Sequence, residues 1–342
     1  MRVLHIGGTG LISSVCVEAD VLAGREVFVL NRGITDKVPL PNDVRRLIAD
    51  ASDPGSLQRG IGALVFDSVI QWTAFTPDRV RDDVSTFRQH GQYVFISSAS
   101  AYQKPPEGWL IRESSTPLGN PHWEYSRNKI ACERVLRDEF EESSFPMTIV
   151  RPSLTYGLTQ IPVCIGSWDH PFTIIDRMRR KSPILVPGDG TAIWTITHNT
   201  DFAKGLVGLE GNPSAIGEDF HITSDEALSW NQIYRLVGAA AGVTPNILHV
   251  PSDALVAADP DLEGTLWGDK IHSTVFDNSK LKTLVPDFRP AVKFRDGIVE
   301  TVRWFDQNPS RRTIDNEANH LWDHIASVYV KALLEVASLQ QP

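Results

Sequence analysis

Short apolar runs alternate with segments of helical period over the first 150 residues. Val3–Ile6, Glu26–Leu30, Val44–Ala49, Ser68–Trp72, Gln92–Ser97 and Met147–Val150 read as strands, and Ile12–Ala23, Val80–His90 and Tyr125–Glu141 as helices. Strands that alternate with helices predict right-handed crossovers and a parallel sheet covered on both faces, a doubly wound α/β fold. The runs VFVL and YVFIS are almost wholly apolar, as strands buried on both faces must be.

The pattern loosens after residue 151. Pro, Gly and Trp become more frequent, and the loop Thr159–His170 has no clear period. Ile193–Thr197 and Phe220–Thr223 read as two further strands that return to the first sheet, Trp230–Ala241 and Phe294–Asp306 as helices. These features predict a first domain over 1–157 and a smaller second lobe over 158–342, with the chain passing between them more than once. The last segment, Asn316–Leu339, places Leu321, Ile325, Val328, Ala332 and Val336 on one face, which predicts a helix docked on the body.

The first strand ends at Ile6 and runs into Gly7-Gly8-Thr9-Gly10-Leu11-Ile12-Ser13. Gly7 permits a turn with unusual dihedrals. Gly10 lets backbone approach a pyrophosphate, which would sit where Leu11 and Ile12 lead into a helix N-terminus. A Gly-rich turn alone is weak; between an apolar strand and a helix it carries weight. Where an acidic residue would bind the adenosine ribose of NAD, the second strand ends in Leu30-Asn31-Arg32-Gly33. Asn31 does not repel a phosphate and Arg32 can pair with one, which tilts the expectation from NAD towards NADP. Asp50 and Ala51, after the third strand, are expected to border the adenine.

Tyr125 and Lys129 stand four apart, one helical turn, on the same face. A tyrosine is a poor base at neutral pH, and a neighbouring ammonium favours its phenolate. The strand Tyr93–Ile96 runs into Ser97-Ser98-Ala99-Ser100-Ala101-Tyr102, small hydroxyl residues at the C-terminal end of a strand, where open α/β sheets bind ligands.

Bulk composition narrows the picture. The 342 residues are 42% hydrophobic and 22% charged, with a formal net charge of -9, ordinary for a soluble globular protein and poor for nucleic-acid binding. The basic clusters, Arg177–Lys181 and Arg311–Arg312, read as solvated helix ends. Cys16, Cys132 and Cys164 lie far apart with no metal-binding spacing, so no metal is expected and a reducing compartment is. With no leader and no long apolar run, the expectation is a cytoplasmic protein without membrane contact.

GGTGLIS, SSASAY, YSRNK and RPSLTYG occur in the order and rough spacing of the extended short-chain dehydrogenases/reductases, and the chain resembles that NAD-dependent epimerase/dehydratase group. The resemblance implies a Rossmann domain with a smaller C-terminal substrate lobe. It implies that Ser98, Tyr125 and Lys129 are catalytic, that Pro152 lies beside the nicotinamide, and that Trp72 and Thr73 stand in the cofactor-contacting stretch after the fourth strand. It also implies dimerisation through the helices over 77–90 and 125–141, by way of Val80, Val84, Phe87, Ile130, Val135 and Leu136.

Departures from the family matter. Nucleotide-sugar enzymes place an arginine where this chain has Trp194, and a second shortly before a Gly-Asp pair, here Thr265-Leu266-Trp267 before Gly268-Asp269. Without them a diphosphate would bind poorly; Lys270, Arg177 and Arg179 are the possible substitutes. Ala99 and Ser100 replace the Asp-Glu pair of dehydratases, which disfavours elimination of water. The expected substrate contacts are Ser98, Ala99, Ser100, Trp168, Trp194 and His198. Three readings follow: an epimerase or oxidoreductase of a sugar-like molecule, an NADP-dependent reductase of a non-nucleotide carbonyl compound, and a non-catalytic dinucleotide-binding protein.

Overall fold

Seven short runs of the chain pair into one parallel sheet. The strands β1 (Arg2–Ile6), β2 (Glu26–Asn31), β3 (Arg45–Ile48), β4 (Ser68–Gln71) and β5 (Gln92–Ile96) are joined by Met147–Pro152 and Asp219–Ile222. The order across the sheet is Asp219–Ile222, Met147–Pro152, β5, β4, β1, β2, β3. The order reverses at β1, whose two sides pair with β2 and β4, for example Val3 with Val27 and with Ser68. In open α/β sheets this reversal opens a crevice for ligands at the carboxyl ends of the strands. The computed structural model describes residues 1–34 and 38–339.

The β1 residues Val3, Leu4 and Ile6 are fully buried, as the apolar runs require. Helices α1 (Ser13–Leu22), α2 (Pro54–Ile61), α3 (Pro77–Phe87) and α4 (Glu124–Ser143) provide crossovers. Asp53 caps α2 by accepting from the Gly55 N–H, and Pro54 fits its first turn. The apolar residues of α3 and α4 face inward: Val80, Val84, Phe87, Ile130 and Leu136 are buried within the chain.

The chain divides into two compact units. The first comprises residues 1–155, 197–225 and 276–291; the second comprises 156–196, 226–275 and 292–342. The expected strand Ile193–Thr197 is corrected here. Ile193–Trp194 pairs antiparallel with Leu228–Ser229 in the second unit and adds nothing to the seven-stranded sheet. A second small parallel pair joins Pro183–Pro187 to Asn246–Val250.

The terminal helix, Asn316–Ser338, divides along its length. Trp322, Ile325 and Ala326 are buried, whereas Val328, Val330, Leu334 and Val336 are exposed, so the expected docking holds only for its first half. Arg177 also departs from expectation. It is buried, with Nη1 donating to Asn319 and Nη2 to the Asp323 carboxylate at 2.7 Å, and is no solvated helix end.

Candidate active site

The Gly loop leaves β1 through Gly7 at φ +91°, a conformation that favours glycine, and a Cβ there would stand 2.4 Å from Thr73 Cγ2. Gly10 is different. A Cβ on it would meet only Ser13 Oγ, at 3.3 Å, so the space beside this backbone is open. The Gly10 N–H donates to Ser13 Oγ at 2.9 Å, and α1 starts at Ser13, just past Leu11 and Ile12. The substitution of serine for glycine at position 13 therefore holds the loop.

A cleft of about 340 Å³ opens beside this loop, lined among others by Gly7, Thr9, Asn31, Arg32, Asp50, Ala51 and Thr73. Asn31 Oδ1 accepts from the Gly33 N–H at 3.0 Å, while its buried Nδ2 has no hydrogen-bond partner among the described residues. The Asp50 carboxylate accepts from both the Ser52 hydroxyl and N–H, and those bonds hold it below the usual carboxylate range. Thr73 lines this cleft; the Trp72 indole is directed to His5, donating to its Nδ1 at 3.2 Å and packing near Phe202.

The second half of the site lies where α4 passes the end of β5. Lys129 is almost wholly buried. Its ammonium donates to the carbonyls of Ala74 at 2.9 Å and Ile96 at 2.7 Å, and lies 4.7 Å from the ring centres of both Phe75 and Phe95. Burial pulls its pKa down to about 8, against the pull of the neighbouring Glu133 and Cys132. Tyr125, one turn earlier, is partly exposed. Its ring packs beside Phe75 and Trp123, and its centre lies 5.9 Å from the Lys129 ammonium.

Ser98 caps the short turn Ala99–Ala101 and accepts from the Ser100 N–H. Its hydroxyl bonds Ser100 Oγ at 2.8 Å, and Ser126 Oγ, on α4 next to Tyr125, donates to Ser100 Oγ at 2.7 Å. Ser98 is thus the half-exposed end of a hydroxyl chain whose other two members are buried. Ala99 and Ser100 are themselves buried, and Ser100 Oγ links Ser98 to Ser126. Pro152, half-buried, closes the strand Met147–Pro152.

The second unit holds the expected contacts Trp168 and Trp194. Trp194 is buried at 3% exposure, and its indole N–H is shared by the carbonyls of Lys270 and His272, so its ring is core rather than an open stacking face. Trp168 is 62% exposed, in an open recess with Asp169, His170 and Asp315. Lys270 is buried 5.3 Å from the Trp194 ring centre and pairs with Asp269 at 3.4 Å, while Arg179 forms two 2.7 Å bonds to Asp306. The cations offered as substitutes for the missing arginines are therefore engaged within the unit. His198, in the first unit, is buried and caps the helix Asn199–Leu209 by accepting from Thr200.

Sequence reasoning passed over Glu133, Arg151, Ser126 and Arg79. A signal for Glu133 was present: it stands four residues past Lys129 and eight past Tyr125, on the same helical face.

Residues 3–222 match the NAD dependent epimerase/dehydratase family, and the chain belongs to it. It is an enzyme of that family, and its relatives include epimerases, dehydratases and reductases. A 2'-dehydrokanamycin reductase of Streptomyces kanamyceticus is 25% identical over 293 residues, covering 84% of this chain and 80% of that protein. Among solved structures, an epimerase of Methanothermobacter thermautotrophicus superposes with a TM-score of 0.74 at 18% identity, over 90% of this chain and 93% of that one. The Thermus thermophilus UDP-glucose 4-epimerase in complex with NAD gives 0.71 at 22%, over 90% and 99%. These structural likenesses show the fold. The first unit fits a dinucleotide on its own evidence: open backbone at Gly10, a helix start beside it, and an orphaned buried donor on Asn31. Among the described residues no helix is long and apolar enough to cross a membrane, and no cluster of His, Cys, Asp or Glu is arranged to hold a metal.

Proposed function

We propose that the chain is a nicotinamide-dependent oxidoreductase that reduces a carbonyl on a sugar-like molecule bearing no nucleotide diphosphate, with NADP preferred over NAD. The observation that carries the reading is the buried Lys129 ammonium, fixed by two backbone carbonyls one turn beyond Tyr125. Two of its three donors are engaged, and the third is directed to a cofactor ribose hydroxyl. Its charge favours the Tyr125 phenolate, so the phenol gives its proton to the substrate oxygen readily and regains it afterwards. Ser98, oriented through Ser100 and Ser126, donates a hydrogen bond to that oxygen. The cofactor, when bound, supplies the hydride. Gly10, Leu11 and Ile12 face its pyrophosphate, Asp50 and Ala51 its adenine, Asn31 and Arg32 its ribose, and Pro152 its nicotinamide.

A substrate without a nucleotide diphosphate is supported by the engaged cations of the second unit, and the reductase direction by the 2'-dehydrokanamycin reductase among the relatives. Epimerisation of the same kind of substrate is the second reading, favoured by family membership. The experiment is to identify any nucleotide released from the purified protein and to follow NADPH and NADH consumption with a panel of keto-sugars and oxidised aminoglycosides. NADPH-dependent turnover supports the reductase. Tightly retained NAD with no net consumption on any keto-sugar overturns it in favour of the epimerase.

A further inference from the structure

The cleft at the ends of β1, β2 and β3 contains a cation that the reading above leaves unused. Arg79, in the first turn of α3, has a side chain only 10% exposed. Its Nη2 donates to Asp83 Oδ1 at 2.5 Å. The other Asp83 oxygen accepts from Gln71 Nε2 at 2.6 Å and from the Tyr93 hydroxyl at 2.8 Å, so the carboxylate that aims Arg79 is itself held from three sides. Arg79 Nη1 is buried and has no hydrogen-bond partner among the described residues.

Arg79 lines the same cleft as Asn31 and Arg32. Two buried donors without acceptors among the described residues, Arg79 Nη1 and Asn31 Nδ2, therefore belong to residues that line one cleft. Each unmet donor carries a desolvation cost, greater when charged, that a ligand rich in acceptors removes. A phosphate monoester provides three strong acceptor oxygens and a charge matched to guanidinium forks. Arg32 is exposed and Arg79 half-buried, and the positive charge of both acts on the Asp50 carboxylate in the same cleft. Both Ser52 bonds fall on Asp50 Oδ1, and among the described residues neither guanidinium bonds this carboxylate directly.

We propose that Arg79 and Arg32 together form a two-cation seat for the 2'-phosphate of an adenosine dinucleotide, with Asn31 Nδ2 as a third donor. Arg79 is the fixed wall of the seat and Arg32 its outer clamp. This deepens the NADP reading and rests on it.

The test is calorimetry on the full chain with 2',5'-ADP and 5'-ADP as probes, which needs no substrate. The native protein should bind 2',5'-ADP at least about tenfold more tightly than 5'-ADP, the size expected from one charge-assisted contact. Arg79→Gln should remove most of that preference while leaving 5'-ADP affinity unchanged, which also reports that the cleft is still folded. Arg79→Lys should recover part of it, keeping the charge without the fork. Retention of the native preference by Arg79→Gln would overturn the inference and leave the NADP reading standing. Equal weakening of both probes would also overturn it, assigning Arg79 to the adenosine or to the fold. Absence of preference in the native protein would overturn the NADP reading itself, and the inference with it.

Discussion

The Arg151 guanidinium holds the Glu133 carboxylate through two bonds, Nε to Oε1 at 2.9 Å and Nη2 to Oε2 at 2.6 Å, both groups almost wholly buried. Its Nη1 reaches Asp219 and the Tyr102 hydroxyl, and Ser97 Oγ donates to the same Glu133 carboxylate. The helix carrying Tyr125 and Lys129 is thereby tied to the end of β5 and to the two strands beyond it. Glu133→Gln would leave the buried Arg151 without its bidentate partner, and breaking such a pair costs about 3–5 kcal/mol. Urea unfolding at neutral pH should show a loss of that order. A loss under about 1 kcal/mol would place the pair among weak surface bridges.

Gly10→Val should fold and fail to bind dinucleotide. A Cβ at this position meets only Ser13 Oγ within 4 Å, so the melting temperature should change little, while the branched group extends into the space beside the loop. Fluorescence titration with NADPH and NADH checks it; retained binding would remove the pyrophosphate from this loop.

Nucleotide sugars should bind weakly. The expected arginine positions hold Trp194 and Leu266, both buried, and Lys270 and Arg179 are engaged by Asp269 and Asp306. Two missing charge-assisted contacts at roughly 1.5–3 kcal/mol each correspond to a factor of about 100 or more. Calorimetry of the cofactor-loaded enzyme with UDP-glucose, dTDP-glucose and GDP-mannose should show no micromolar binding. Micromolar binding of any one, lost when a basic residue of the second unit is replaced, would restore a nucleotide-sugar substrate.

Acid should destabilise the chain through His221. Its Nδ1 meets the Tyr102 hydroxyl and its Nε2 the Asp277 carbonyl, and burial pulls its pKa down to about 4. The folded state keeps this imidazole neutral while the unfolded chain protonates it near pH 6.5. Its stabilising effect is therefore complete above about pH 6.5 and lost as pH falls towards 4, a change on the order of 3 kcal/mol. His221→Gln should flatten the pH dependence of the urea midpoint in that window. An unchanged slope would exclude this residue as the source.

The sheet and the paired Tyr125 and Lys129 were legible because buried parallel strands and a one-turn spacing leave local marks. Helix α2 was not, since PGSLQRGI carries only Leu57 and Ile61 as buried apolar residues and opens with turn residues. Ile193–Thr197 has a strand's composition, but its pairing partner, Leu228–Ser229, is 35 residues away, and pattern alone does not choose between sheets. Trp194 illustrates the same limit: an indole that stacks on a ligand and one that closes a core are identical in sequence. Arg79 was passed over because its unmet Nη1 is displayed only in three dimensions.

Proton transfer by Tyr125 in a nicotinamide-dependent reduction is tested by a paired assay of Tyr125→Phe. The variant keeps the aromatic ring and removes the hydroxyl alone. NADPH binding by fluorescence should match the native protein, whereas kcat on any keto-substrate that the native enzyme reduces should fall by a factor of about 100 or more, the scale of a lost general acid. A variant that binds cofactor and turns over at the native rate would remove Tyr125 from the proton transfer.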